Sequence, residues 1–365
     1  MFPLAQPADL ETSYVKVTDV GPRGTLFPSA LYEVIRSAHP LGARYDSWKV
    51  VALRIDPCFG QISPDPHGIG CENQLRLVVQ PLTVTATETA VVAIPDMAIH
   101  LFFRISRQEI GDLARALIAL RVANSSGQRL GPLGPHPIMQ AQGLGGPMAS
   151  GVRALVLKYA GASNLIKVAS LNGIGELTWT FLMHDVVDAN AGTAVRVSPF
   201  TVPAGSTGQG VSSIRNRFPS QNPGLRMRLS PASTSPDSIA ALMNDEELAV
   251  FDANQQADAL SALLRIENPG NHSPTTIDCG NCHMASPVMS RQAPLFGLSR
   301  SGNPAAFVPD GTWVLPSEMQ SIEPNTGFLN VHAFSYTLRR QVAVNQRTVN
   351  ESAAVVQYLN ANLLK

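Results

Sequence analysis

Charged residues are scarce in this chain. Asp, Glu, Lys and Arg make up 15% of its 365 residues, against 44% hydrophobic, and 27 basic and 27 acidic groups cancel to a formal net charge of +0. That balance supplies neither a basic groove for a phosphate backbone nor a cationic face for an anionic bilayer, so nucleic acid is excluded as a partner. Long apolar runs are missing too, since nothing approaches the roughly 18 residues that span a membrane. The nearest, Thr89 to Phe103, is broken by Pro95-Asp96 and reads as paired strands. No G-x-S-x-G elbow or H-E-x-x-H run occurs, and Gly143-Leu144-Gly145-Gly146 lacks the spacing of a dinucleotide loop. Catalytically, the sequence is quiet.

Cysteine is also rare, but all four residues carry meaning. Cys279-Gly280-Asn281-Cys282-His283 places two thiols three positions apart with an imidazole directly after them. Thiols at that spacing can take the two vinyl groups of a haem as thioethers, and the histidine then falls beneath the iron as an axial ligand. A tetrahedral zinc site would need a second ligand pair, and none follows. A redox dithiol should open a helix after a βαβ strand, whereas His272 to Asp278 reads as loop. The expected cofactor is therefore one covalent haem c, held by Cys279, Cys282 and His283. A metal-binding protein using the same three residues is the weaker alternative.

The other pair, Cys58 and Cys71, flanks a turn-rich segment with two prolines and three glycines. A disulfide across such a loop stabilises by about 3 kcal/mol in the chain-entropy account. It also matches the oxidising compartment in which haem c is attached. Met1-Phe2-Pro3-Leu4 has neither the charged start nor the apolar core of a signal peptide. Because covalent haem attachment in bacteria follows export, a leader or a lipidated cysteine is expected to have been removed. The expected location is periplasmic, outer-membrane-associated or extracellular.

The length suits two domains, and 28 Gly with 28 Pro point to many short elements. Trp48 to Ile55 and Gln74 to Gln80 read as strands. Ser106 and Glu109 form a capping box ahead of a helix that ends near Asn124. A shorter helix covers Val152 to Tyr159. Leu165 to Leu171 and Glu176 to Val187 suggest a hairpin turning at Asn172-Gly173. Residues 1–199 thus form a mainly antiparallel β unit with one or two helices. Residues 200–235, rich in Pro, Ser, Gly and Asn, read as a connection. From 236 to 365 the pattern is mainly helical: Ser235-Pro236 opens one stretch, Asn254 to Ile266 another, and Thr348 to Glu351 caps a closing amphipathic helix. The fold class is α+β.

The order helix, C-x-x-C-H, loops and a closing helix with Val355-Val356-Gln357-Tyr358-Leu359 resembles a c-type cytochrome domain over about Pro236 to Lys365. The whole chain looks similar to poorly characterised bacterial cytochrome-like lipoproteins. The resemblance implies a cytochrome c-like haem domain in which Cys279, Cys282 and His283 are the attachment and axial residues. Two features depart from it: Met284 stands where glycine often follows the histidine, and no Met-Pro ligand motif appears.

For the opposite face of the iron, His332 lies 332 − 283 = 49 positions on and Met319 lies 319 − 283 = 36 on. His332, among aromatic neighbours, is the first choice and Met319 the alternative. His39, His67, His100 and His136 are scattered through turns and strands and receive no role. The expected function is electron transfer with a redox partner protein rather than catalysis. The alternatives are a non-enzymatic surface or assembly protein with a structural haem, and a haem enzyme or sensor if the sixth position is open.

Overall fold

A computed structural model describes residues 1–4, 7–39, 41–58, 72–85, 91–125, 133–174, 178–213, 227–239, 248–273, 276–297, 299–309 and 331–365. The chain is a mixed α/β protein built on one large antiparallel sheet, with seven α-helices among the described residues. A small hairpin, β1 (Val20–Gly21) and β2 (Gly24–Thr25), precedes β3 (Trp48–Asp56) and β4 (Gln74–Pro81). A second hairpin, β5 (Thr83–Thr85) and β6 (Val91–Ala93), leads to β7 (Met97–Arg104). Three helices later the chain re-enters the sheet as β8 (Leu165–Ile174), β9 (Thr178–Asp188) and β10 (Thr193–Val197), then β11 (Gln209–Ser213) and β12 (Met227–Ser230). The hairpin β13 (Phe334–Tyr336) and β14 (Val342–Val344) comes last. In space the sheet runs β12-β11-β9-β8-β7-β4-β3, and β10 shares the outer edge of β9 with β11.

Period-two alternation gives this sheet two buried faces. Leu75, Leu77 and Val79 of β4, Ile99, Leu101 and Phe103 of β7 and Val168 of β8 enter the larger apolar core. Against them pack Leu31 and Ile35 of the helix Ser29–Ala38, Ile110 and Leu113 of Arg107–Asn124, and Val152 and Val156 of Pro147–Tyr159. Trp179, Phe181, Val211 and Leu229 look the other way, into a second core with Leu260, Leu263 and Leu264 of the helix Ala253–Glu267 and Met284 and Val288 of Cys279–Leu295. The closing helix Gln346–Asn362 completes a group of three mutually packed helices.

Several local expectations agree with the structure. Ser106 accepts from the Glu109 N–H while the Glu109 carboxylate accepts from the Ser106 N–H, a full capping box. The helix expected from Asn254 spans Ala253–Glu267, capped by Asp252. Other expectations are corrected. Residues 200–235 are not only a connection, because β11 and β12 extend the sheet from within them. Asn172 and Gly173 do not turn the hairpin: they pair with Thr180 and Trp179 inside the strands. The closing helix is capped by Asn345, which accepts from the Thr348 N–H, one turn before the box expected at Thr348. Ser235 caps only a short turn, donated to by the Asp237 N–H, and 236–239 are not helical. The rest of the stretch expected to follow Ser235-Pro236, residues 240–247, lies outside the described residues.

Candidate functional site

Cys279 opens the helix Cys279–Leu295, so the sequence motif forms its first turn. Asp278 is the N-cap: its Oδ1 accepts from the Asn281 N–H at 3.0 Å, and its Oδ2 accepts from the Asn281 side-chain amide at 2.7 Å and from the Thr201 hydroxyl at 2.7 Å. Asn281 Oδ1 in turn accepts the Ile239 N–H at 2.8 Å. Gly280 donates its N–H to Gln209 Oε1 at 2.7 Å, and a Cβ there would overlap Leu229 Cδ1. The two residues between the cysteines are thus docking residues. Asn281 locks the cap, and Gly280 lets the helix start lie against β11 and β12. Both cysteines and the histidine are thereby held on a fixed element rather than a loop.

The helix start roofs a pocket that opens to solvent. Its floor is the sheet. Val78 pairs with His100, His100 with Ala169 and Ala169 with Met183, forming one cross-strand row over β4, β7, β8 and β9. Phe102, Leu171 and Phe181 add apolar wall, and Phe334 closes one side. Cys279, Cys282 and His283 all line this space, as do Arg54, Arg76, Arg347 and Glu351.

His283 is oriented by a single bond. Its Nδ1 hydrogen donates to the Val331 carbonyl at 2.7 Å, which leaves the Nε2 lone pair free. Burial lowers its pKa to about 4, so the ring is neutral at pH 7. Its ring packs 5.1 Å from Phe181 and 6.0 Å from His100. Burial, followed by the nearby His283, pushes His100 well below the ordinary histidine range as well. Burial raises the pKa of both Cys279 and Cys282, so each is a neutral thiol, and neither is in a disulfide. The motif does open a helix, against the sequence argument that set a redox dithiol aside, while burial shifts both thiols in the direction opposite to the lowered pKa such a dithiol uses. Among the described residues no group of three or more His, Cys, Asp and Glu is arranged to hold a metal ion.

One end of the pocket carries a buried charge network. Arg54 pairs with Asp56 and Glu351, Arg76 with Asp56 at 2.8 Å, and Arg347 with Glu351 at 2.6 Å. Three guanidinium groups against two carboxylates leave 3 − 2 = +1. Burial alone would raise the Glu351 pKa, but Arg347, Arg54 and Arg76 outweigh it and hold the group at about 2. Arg76 also lies 4.5 Å over the Phe102 ring.

His332 is not available to the pocket in the way the sequence suggested. Its Nε2 meets Asp96 Oδ1 at 2.6 Å and its Nδ1 meets the Ser335 hydroxyl at 2.9 Å, so both ring nitrogens are engaged. Asp96 is fixed in turn by the Trp179 indole N–H at 3.0 Å. His332 therefore ties the segment after residue 330 to the sheet. Met319 lies outside the described residues, as does Cys71, so the Cys58–Cys71 bridge stays an expectation. Cys58 donates its N–H to Asn73 Oδ1 at 3.0 Å. Sequence reading missed His100, the three arginines and Glu351. Only the alternation through β7 could have shown His100 and Phe102 on the face opposite Leu101 and Phe103.

No family model, curated protein or solved structure matches this chain.

Proposed function

We propose that this chain is an extracytoplasmic monohaem c-type cytochrome that exchanges electrons with a partner protein. The observation that carries the reading is the convergence of Cys279, Cys282 and His283 on one apolar-walled pocket, with both thiols free and the imidazole held by Val331. A carbonyl partner on one ring nitrogen is the usual way a metal-binding histidine is aimed. The residues suit a haem in three respects. Two unpaired thiols sit a helical turn apart, the walls are apolar and aromatic, and the spare positive charge of the arginine cluster matches the carboxylates a haem carries. Bound there, a haem would supply one-electron chemistry. Cys279 and Cys282 would tether it, His283 would hold the metal, and Phe102, Phe181 and Phe334 would keep water away. The three packed helices around the motif are the part of the fold read as cytochrome-like. Attachment through two thioethers also supports a periplasmic, outer-membrane-associated or extracellular site, with a lipid anchor as one means of retention. Among the described residues no helix is long and apolar enough to cross a membrane.

The test is expression of the full chain in a bacterium with haem c maturation. The expected product is coloured, gives a c-type pyridine haemochrome at one haem per chain, and keeps its haem on a denaturing gel. The double variant C279A/C282A loses that band entirely. Colourless protein from a maturation-competent host, with both thiols still titratable, would end the proposal.

A further inference from the structure

We propose that His100, on the β-sheet floor, is the second axial ligand of the iron, facing His283, which makes the site a closed bis-imidazole centre. The proposal rests on the haem reading and goes beyond it. It assigns the sixth position to a residue far outside the motif, and it takes that role from His332 and Met319.

Four observations support the assignment. The His100 and His283 rings have centres 6.0 Å apart. An imidazole nitrogen binds a first-row metal at about 2.0–2.1 Å, so two rings bracketing one ion have centres on the order of 6 Å apart. Secondly, the His100 ring makes no hydrogen bond to any described residue, and the surface it keeps lines the pocket. Its ring nitrogens are thus not committed to another side chain and remain open to a ligand in the pocket. Thirdly, the floor beside it is made of small or apolar side chains. The direct cross-strand neighbours are Val78 and Ala169, and the alanine keeps the space over the ring open. Fourthly, three competitors are committed elsewhere, and Met183, which lines the pocket beside Ala169, is a remaining rival. His332 is bonded through both nitrogens, and Met284 and Met289 are packed into the second core.

The two rings are also fixed independently of each other. His100 is set by the register of β7 between β4 and β8, and His283 by the Asp278 cap and the Val331 carbonyl. Two fixed imidazoles on one iron would favour a low-spin centre with both axial positions filled, suited to electron transfer rather than to binding small molecules.

The experiment compares wild-type holoprotein with H100A, H100M and H332A, all as full chains with haem attached. Wild type is expected to give a low-spin spectrum with a bis-imidazole signature in near-infrared magnetic circular dichroism and electron paramagnetic resonance. H100A is expected to lose the low-spin signal and to gain carbon monoxide binding, with added imidazole restoring the wild-type spectrum. H332A is expected to keep the wild-type spectrum. Should H100A fail to fold, H100M gives the same answer by changing the signature to imidazole–methionine. A haem-loaded H100A that remains low-spin without added imidazole overturns the assignment, and so does a wild-type signature of histidine–methionine or five-coordinate iron. Those outcomes leave the haem reading standing, whereas colourless wild type removes both.

Discussion

The two faces of the central sheet obey the same alternation and end in opposite conditions. On one face Leu75, Leu77, Leu101, Phe103 and Val168 are closed over by helices and exclude water. On the other, the intervening residues of the same strands are Arg54, Arg76, His100 and Ala169, and they face a pocket. Each strand thus turns one set of side chains into the closed core and the other toward the pocket. The second set is tolerable only because Arg54, Arg76, Arg347, Asp56 and Glu351 partner one another. A bare guanidinium at such depth would carry a large desolvation cost.

This contrast can be broken from either side. The largest effect is expected at Glu351→Gln, which removes the partner of both Arg54 and Arg347 and leaves three buried guanidinium groups against Asp56. We expect a loss of about 3–5 kcal/mol in denaturant unfolding, typical of breaking a buried pair. The same carboxylate gives a pH signature. Its folded pKa, about 2, lies below an ordinary glutamate value of 4.5, so its contribution is present at neutral pH and is lost as pH falls from about 4.5 to about 2. Unfolding midpoints measured across that window should decline in wild type and decline less in Glu351→Gln.

Leu101→Ala, on the closed face, should cost about 2–5 kcal/mol through a cavity while leaving the pocket's chemistry unchanged. Thermal unfolding and the haem spectrum read the two effects separately. Gly280→Ala should cost about 1–3 kcal/mol, because the new methyl overlaps Leu229 and displaces the helix start. That variant should also lower the fraction of chains that carry haem, unlike Leu101→Ala. Ala169→Leu is the reverse case. It fills space on the open face, so stability should change little while haem incorporation falls. Smallest is Ser106→Ala, far from the pocket, which removes one capping bond and should cost about 1 kcal/mol.

Legibility in the sequence followed the distance between interacting residues. The capping box of Ser106 and Glu109 was readable because both halves lie within one turn. So was the clustering of the C-x-x-C-H run, five consecutive residues that fall in the first turns of one helix. Asn172-Gly173 misled because a tertiary contact overrides its turn preference. The Gly173 N–H donates to the Asp96 carbonyl at 2.7 Å and holds the pair extended. The strands of 200–235 were missed since Gly210, Ser212 and Ser213 lack the β-branched character of a typical strand. His100 was unreadable for a different reason. Its importance comes from facing a residue 283 − 100 = 183 positions away, and no local pattern encodes that pairing.

One seam in the molecule sets an order of events for its folding. Tyr336 donates its hydroxyl to the Phe2 carbonyl at 2.7 Å, and Gln80 is bracketed by the backbone of that same tyrosine at 2.8 and 2.9 Å. Residues 2 and 80 are therefore held by residue 336, across sequence separations of 334 and 256. This part of the interior closes only once the segment carrying Tyr336 is in place.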